Sequence, residues 1–131
     1  MSRKKVLVVE DDEPIRELLS VRLDIAGYHV LSARDGVEAL ERISSGRPVA
    51  MVLDIGLPRL DGFAVLEALE RHNLVLPTLV LTARNGADDV QRALGLGAWD
   101  FLAKPFNDKV LVNRVARMLD SDLRRQEPCF I

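Results

Sequence analysis

The stretch Met51-Val52-Leu53-Asp54-Ile55-Gly56-Leu57-Pro58-Arg59-Leu60-Asp61-Gly62 decides how the chain is read. Three apolar residues run into a lone aspartate, and Gly56 and Pro58 follow within four residues. A short apolar run bounded by turn residues predicts a strand buried on both faces. Asp54 then stands at the carboxyl end of that strand, the edge of an open α/β sheet where ligands bind. Asp61-Gly62 predicts the start of the next helix, with Asp61 as its cap.

Working outward, the same alternation recurs. Val6 to Val9 is an apolar, β-branched run that predicts a first strand, ending at Glu10-Asp11-Asp12. Pro14 suits the first turn of a helix, where acidic residues favour the dipole. Ile15, Leu18, Leu19, Leu23 and Ala26 fall on one face of that helix, and Gly27 stops it. Tyr28 to Ala33 reads as a second strand. Asp35 caps a helix with Val37, Leu40 and Ile43 inward, and Ser44 to Pro48 reads as a loop. Val49 to Leu53 is the third strand. Val65, Leu66 and Leu69 mark the inner face of the following helix, and Pro77 to Thr82 the fourth strand. Asn85-Gly86 predicts a turn and Asp88 to Leu94 a short helix with a weak apolar face, broken by Gly95 and Gly97. Trp99 to Ala103 is the fifth strand. The last helix is expected from about Asn107 to Arg125, with Leu111, Val115, Met118 and Leu119 on one side.

Strand then helix, five times over, predicts an α/β fold: a doubly wound (βα)5 domain with a five-stranded parallel sheet and helices on both faces. Right-handed crossovers leave few topologies, and the flavodoxin-like order 2-1-3-4-5 is the expected one.

Composition bounds the function. A chain of 131 residues, 48% hydrophobic and 29% charged, is ordinary for one soluble domain. A net charge of −2 gives no basic field for nucleic acid. No apolar run approaches the about 18 residues of a membrane span, and the basic start Met1 to Lys5 lacks the apolar block of a signal peptide. The single cysteine, Cys129, excludes an internal disulfide and fits a reducing, cytoplasmic setting. Cys129-Phe130-Ile131 is one residue short of a prenylation box.

In a parallel sheet all carboxyl ends share one edge. Glu10, Asp11, Asp54, Thr82 and Lys104 therefore converge on one crevice: three carboxylates, a hydroxyl and an ammonium. Carboxylates so close are costly unless something positive sits among them. Mg²⁺, or Mn²⁺, suits such a site: a hard cation that takes a few carboxylates, keeps waters and binds phosphate oxygens. Glu10, Asp11 and Asp54 can supply carboxylates, and Gly56 a backbone carbonyl. A cation there would hold a phosphoryl group in line with Asp54, with Lys104 and the Thr82 hydroxyl on its other oxygens. Aspartyl phosphates are a known class of covalent intermediate.

Taken singly, each of these residues has an ordinary structural explanation, as a cap, a β-former or a solvated charge. Together and in this order they do not. Val8-Val9-Glu10-Asp11-Asp12, Leu53-Asp54 through Pro58 and Asp61-Gly62, Leu81-Thr82-Ala83, Gly97-Ala98 and Lys104-Pro105-Phe106 resemble the receiver domain of bacterial two-component response regulators. The resemblance covers residues 4–124 and leaves 125–131 as a tail or the start of a linker, with Leu123 to Gln126 similar to an interdomain linker. It implies that Asp54 accepts a phosphoryl group from a histidine kinase or a phosphotransfer protein, and that Glu10, Asp11, Asp54 and the Gly56 carbonyl hold Mg²⁺. It also implies that Thr82, Ala83 and Lys104 bind the phosphoryl oxygens and that Phe101 is the aromatic switch.

There are departures. Phe101 lacks the hydroxyl of the tyrosine common at the switch, so an inward rotamer is natural for it. Gly56 and Arg84 occupy the two positions that tune phosphoryl lifetime; Gly56 would admit water unless Arg84 covers the site. Trp99 is either core packing or an anchor on a dimer face, where Asp100 and Arg114 match one ion pair of the winged-helix subfamily. The expected role is a signalling switch rather than a turnover enzyme, controlling transcription through an output domain that is absent here and that would carry any DNA contact, and dimerising on phosphorylation. The alternative is a stand-alone regulator that acts by docking. A magnesium-dependent aspartyl-phosphate phosphatase would want a second aspartate where Gly56 stands. A flavin or dinucleotide module would want a glycine- or hydroxyl-rich loop at Glu10-Asp11-Asp12, and Gly95-x-Gly97 follows a helix rather than a strand. His29 and His72 are isolated, with nothing to support a relay role.

Overall fold

The computed structural model describes residues 3–83 and 86–120. Strands and helices alternate without exception: β1 Lys5–Val9, α1 Glu13–Ile25, β2 His29–Ala33, α2 Gly36–Gly46, β3 Ala50–Asp54, α3 Gly62–Arg71, β4 Thr78–Thr82, α4 Ala87–Gly95, β5 Asp100–Ala103 and α5 Asp108–Leu119. All strand pairs are parallel, in the order β2-β1-β3-β4-β5. This is the flavodoxin-like arrangement read from the alternation of apolar runs.

The sheet is covered on both faces, and its pleat divides the core in two. Leu7, Val9, Met51, Leu53 and Val80 point to one side, against α2, α3 and α4. Val6, Val8, Val52, Leu79 and Leu81 point to the other, against Leu19 and Leu23 of α1 and Leu111, Val115 and Met118 of α5. β3 and β4 are buried throughout and β1 from Val6 onward, which explains the apolar runs at their centres.

Helix starts follow the predicted chemistry. Asp12, Asp35 and Asp61 each cap a helix, accepting from the amides of Ile15, Glu38 and Ala64. Asn107 caps α5 in the same way. Among the described residues α4 alone begins without a side-chain cap, at Gly86.

Several sequence expectations need correction. α2 continues through Ser44, Ser45 and Gly46, where a loop was expected; Arg47 ends it in a left-handed conformation at φ 49°. Tyr28, Val49 and Trp99 lie just outside their strands. Leu18, expected on the face of Leu19 and Leu23, is 46% exposed, and Ala26 is the exposed cap of α1. Among the described residues α5 ends at Leu119. Arg84 and Asn85, the linker-like Leu123 to Gln126, the 125–131 tail and Cys129 lie outside the described residues.

Candidate functional site

The carboxyl edge of the sheet gathers the acidic residues. Asp54 is the last residue of β3, and its neighbours in register are Leu53 beside Val9 and Asp54 beside Leu81. Glu10 and Asp11 follow β1 directly, Thr82 is one residue beyond Leu81, and Lys104 follows β5. Carboxylate oxygens of Glu10, Asp11 and Asp54 lie within 4.8 Å of one another. Asp11 is exposed, Asp54 is buried and Glu10 has no accessible surface.

Glu10 is held from several sides. Its amide donates to the Ala33 carbonyl at 3.1 Å, and its carbonyl accepts from Arg16 Nη1 at 2.8 Å. The Lys104 ammonium then bridges the two buried acids, donating to Glu10 Oε1 at 2.8 Å and to Asp54 Oδ2 at 3.2 Å. The other Asp54 oxygen, Oδ1, accepts from the Gly56 amide at 3.2 Å. The Lys104 backbone is fixed in turn, its amide donating to the Thr82 carbonyl at 2.7 Å.

Charge follows from this packing. Burial, then the hydrogen bond and repulsion from Asp54, push the Glu10 carboxyl up to about 7, against the pull of Lys104. Burial alone would lower Lys104; its contacts with Glu10 and Asp54 outweigh that and raise it. The crowding of anions expected to demand a metal is thus relieved in part by Lys104, while burial favours the protonated form of Glu10.

The remaining donor set is all oxygen, two carboxylates of it buried, which fits a hard divalent cation such as Mg²⁺ or Mn²⁺. Gly56 is exposed and follows Asp54 by two residues. A Cβ placed on Gly56 meets nothing within 4 Å among the described residues. Gly62 is the opposite case: a Cβ there would lie 2.7 Å from Ile55 Cα and 2.8 Å from the Asp54 carbonyl oxygen. The start of α3 must touch the backbone at the end of β3, and only glycine permits it.

Thr82 is buried and packs toward the start of α4; a Cβ on Gly86 would sit 3.2 Å from Thr82 Cβ. Ala83, next along, is exposed. A cavity of about 400 Å³ separates Thr82, Ala83 and Gly86 from Phe101. Phe101 is 40% exposed, the reverse of the inward rotamer expected for a phenylalanine. Trp99 is half-buried and packs on the α1/α5 side of the core. Asp100 and Arg114 meet within one chain, with Arg114 Nη1 donating to both Asp100 oxygens at 3.0 and 3.1 Å and to the Phe101 carbonyl at 3.3 Å. Arg16, which holds the Glu10 carbonyl, carries no distinctive sequence signal as an arginine one turn into α1.

This arrangement identifies the class. Residues 6–116 match the response regulator receiver domain family, and the chain belongs to it. Among curated relatives, response regulator MprA of Mycobacterium avium (strain 104) is 45% identical over 124 residues, which is 95% of this chain and 53% of that protein. MprA of Mycobacterium ulcerans (strain Agy99) is 47% identical over 115 residues, 88% of this chain and 50% of that protein. The chain therefore spans about half the length of the curated relatives it matches. Among solved structures, a putative response regulator from Chloroflexus aurantiacus superposes with a TM-score of 0.84 at 38% identity, covering 90% of this chain and 98% of that one. The chemotaxis response regulator CheY4 of Vibrio cholerae superposes with a TM-score of 0.83 at 33% identity, covering 90% and 100%. Among the described residues no helix is long and apolar enough to cross a membrane.

Proposed function

We propose that Asp54 is the phosphoacceptor of a two-component signalling switch, charged from the phosphohistidine of a sensor kinase or phosphotransfer protein. The observation that carries this reading is the Lys104 ammonium seated between Glu10 and Asp54, with the third carboxylate of Asp11 beside them. A carboxylate oxygen of Asp54 attacks phosphorus; the P–N bond breaks, and its electron pair returns to the donor imidazole, which takes up a proton. Such transfer needs positioning and charge neutralisation more than covalent help from the protein. Mg²⁺, held by Glu10, Asp11, Asp54 and the Gly56 carbonyl, would neutralise charge on the acids and on the incoming group. Lys104 exchanges its carboxylate contact for a phosphoryl oxygen, and the Thr82 hydroxyl takes another.

The output follows from what Thr82 touches. Its movement toward the phosphoryl group withdraws it from Gly86 and enlarges the cavity beside Phe101, which the exposed ring can enter. That shift alters the surface of α4, β5 and α5, including Trp99, Asp100 and Arg114. For the donor, Leu18, Val21 and Ile25 form an exposed apolar stripe along α1, with Ile25 72% exposed. Such a stripe, on the helix that starts at the acidic edge and runs away from it, suits an apolar helical partner. Matching only half of the MprA proteins favours an output domain, and through it control of transcription, dimerisation and DNA contact. The alternative is a stand-alone regulator that acts by docking; size exclusion and partner capture of the phosphorylated full-length protein separate the two. In both, the domain modifies itself and has no turnover substrate.

The test is intact-mass measurement with Mg²⁺ and acetyl phosphate. The wild type gains about 80 daltons, one phosphoryl group, and Asp54→Ala gains nothing. Label on another side chain, or an undiminished gain in the variant, overturns the assignment. Size exclusion with beryllofluoride reports on pairing in the same preparations.

A further inference from the structure

We propose that Asp35 and Arg59 are positioning residues for the phosphoacceptor, a brace that fixes the loop between β3 and α3 from outside the acidic site. The inference rests on Asp54 being the acceptor. Asp35 belongs to the turn between β2 and α2, which contributes nothing to the acidic cluster. Its carboxylate is almost fully buried and divides its two oxygens: Oδ1 accepts from the Glu38 amide at 2.9 Å, and Oδ2 pairs with Arg59 Nε at 3.4 Å. Capping α2 requires only the first of these.

Arg59 is the anomalous partner. It sits at φ 65°, a left-handed conformation in which a residue with a Cβ is strained. The ion pair to Asp35 offsets that strain and fixes the guanidinium against the neighbouring turn. One residue on, Leu60 abuts α2 so tightly that a Cβ on Gly36 would lie 2.0 Å from the Leu60 carbonyl oxygen. The loop is thus pinned at Arg59 and Leu60 against the start of α2. At its other end it delivers the Gly56 amide to Asp54 Oδ1, and it carries the Gly56 carbonyl. The brace therefore acts on the acceptor carboxylate through four residues of backbone.

Calorimetric titration with Mg²⁺ of the wild type, Arg59→Gly, Asp35→Asn, the double variant and Arg59→Lys tests this. Asparagine keeps the cap, and glycine accepts the left-handed conformation, so both substitutions spare the fold and circular dichroism checks that they do. Loosening the loop weakens Mg²⁺ binding about two- to fivefold in Arg59→Gly, the range a half-exposed ion pair supports. Simple electrostatics predicts the opposite sign, because removing a cation near an acidic site tightens cation binding. Asp35→Asn falls by a similar factor, the double variant is no worse than either, and Arg59→Lys stays near wild type. Unchanged or tighter binding by Arg59→Gly, or losses that multiply in the double variant, overturns the brace. If wild-type Asp54 takes no phosphoryl group, the acceptor reading fails instead. If it does, and Arg59→Gly matches wild type in Mg²⁺ affinity, only the brace fails.

Discussion

β3 and β5 lie two strands apart in one sheet, and they are embedded differently. Every residue of β3 is buried, from Ala50 to Asp54, and the loop after it is pinned to α2 and α3 by close backbone contact. β5 is an edge strand whose residues alternate between half-buried and exposed. Its neighbour α4 buries only Ala93 and starts without a side-chain cap, held to α3 by Arg92 over the Phe63 ring and near Glu67. The contrast separates two tasks. The proposed chemistry at Asp54 needs fixed oxygens, and dense packing supplies them. A response needs an element that can move for little free energy, and loosely anchored segments are drawn from the low-stability end of a fold.

The sharpest break of that contrast is a pair of glycine substitutions. Gly62→Ala forces a methyl into the Asp54–Ile55 backbone and is expected to destabilise by about 3 kcal/mol, at the upper end for overpacking. Gly95→Ala, in α4, meets open space and replaces a poor helix former, so it should stabilise by about 0.5 kcal/mol. Urea unfolding of both variants checks the signs; similar effects would erase the distinction between the two regions.

A smaller effect comes from pH. Glu10 titrates near 7 in the folded protein against 4.5 when unfolded, so between those values the folded state binds the extra proton. Stability without divalent cation therefore falls as pH rises from about 4.5 to 7, by on the order of 2 kcal/mol, and stays lower above that. Lys104 works in the other sense: its raised value adds stability throughout this range, lost only in alkali. Denaturant melts at pH 5 and pH 8 should show the Glu10 loss in the wild type and a flatter profile in Glu10→Gln. Mg²⁺ at pH 8 should narrow the gap.

The smallest expected effect is kinetic. Gly56→Met places a side chain in the open space beside Asp54 and should slow loss of the phosphoryl group by roughly threefold by hindering water. Intact mass followed over time after removal of acetyl phosphate measures it. An unchanged lifetime would mean that water arrives from elsewhere.

Much of this was legible in the chain. Apolar runs of three to five residues leading into Glu10, Asp54 and Thr82 marked the strands, and their alternation with amphipathic helices left few topologies, of which 2-1-3-4-5 was the expected one. The cluster was legible because a parallel sheet sends every strand's end to one edge. What stayed hidden depends on distance rather than order. Order could not show that Lys104 bridges two acids, that Phe101 turns outward, or that Asp35 holds a residue 24 positions away in sequence. Leu18, by contrast, is a misreading of the period: it lies about 100° round the helix from Leu19 and about 140° from Leu23, off the stripe that faces the core.

The Asp100–Arg114 pair carries a last consequence. Both charges already satisfy each other across β5 and α5 of one molecule. A second copy that approached this face would be offered a trade of partners rather than a new one, so the enthalpy of such an exchange is close to nil. Fit between surfaces, and how crowded the molecules are, would then govern pairing here far more than attraction between opposite charges.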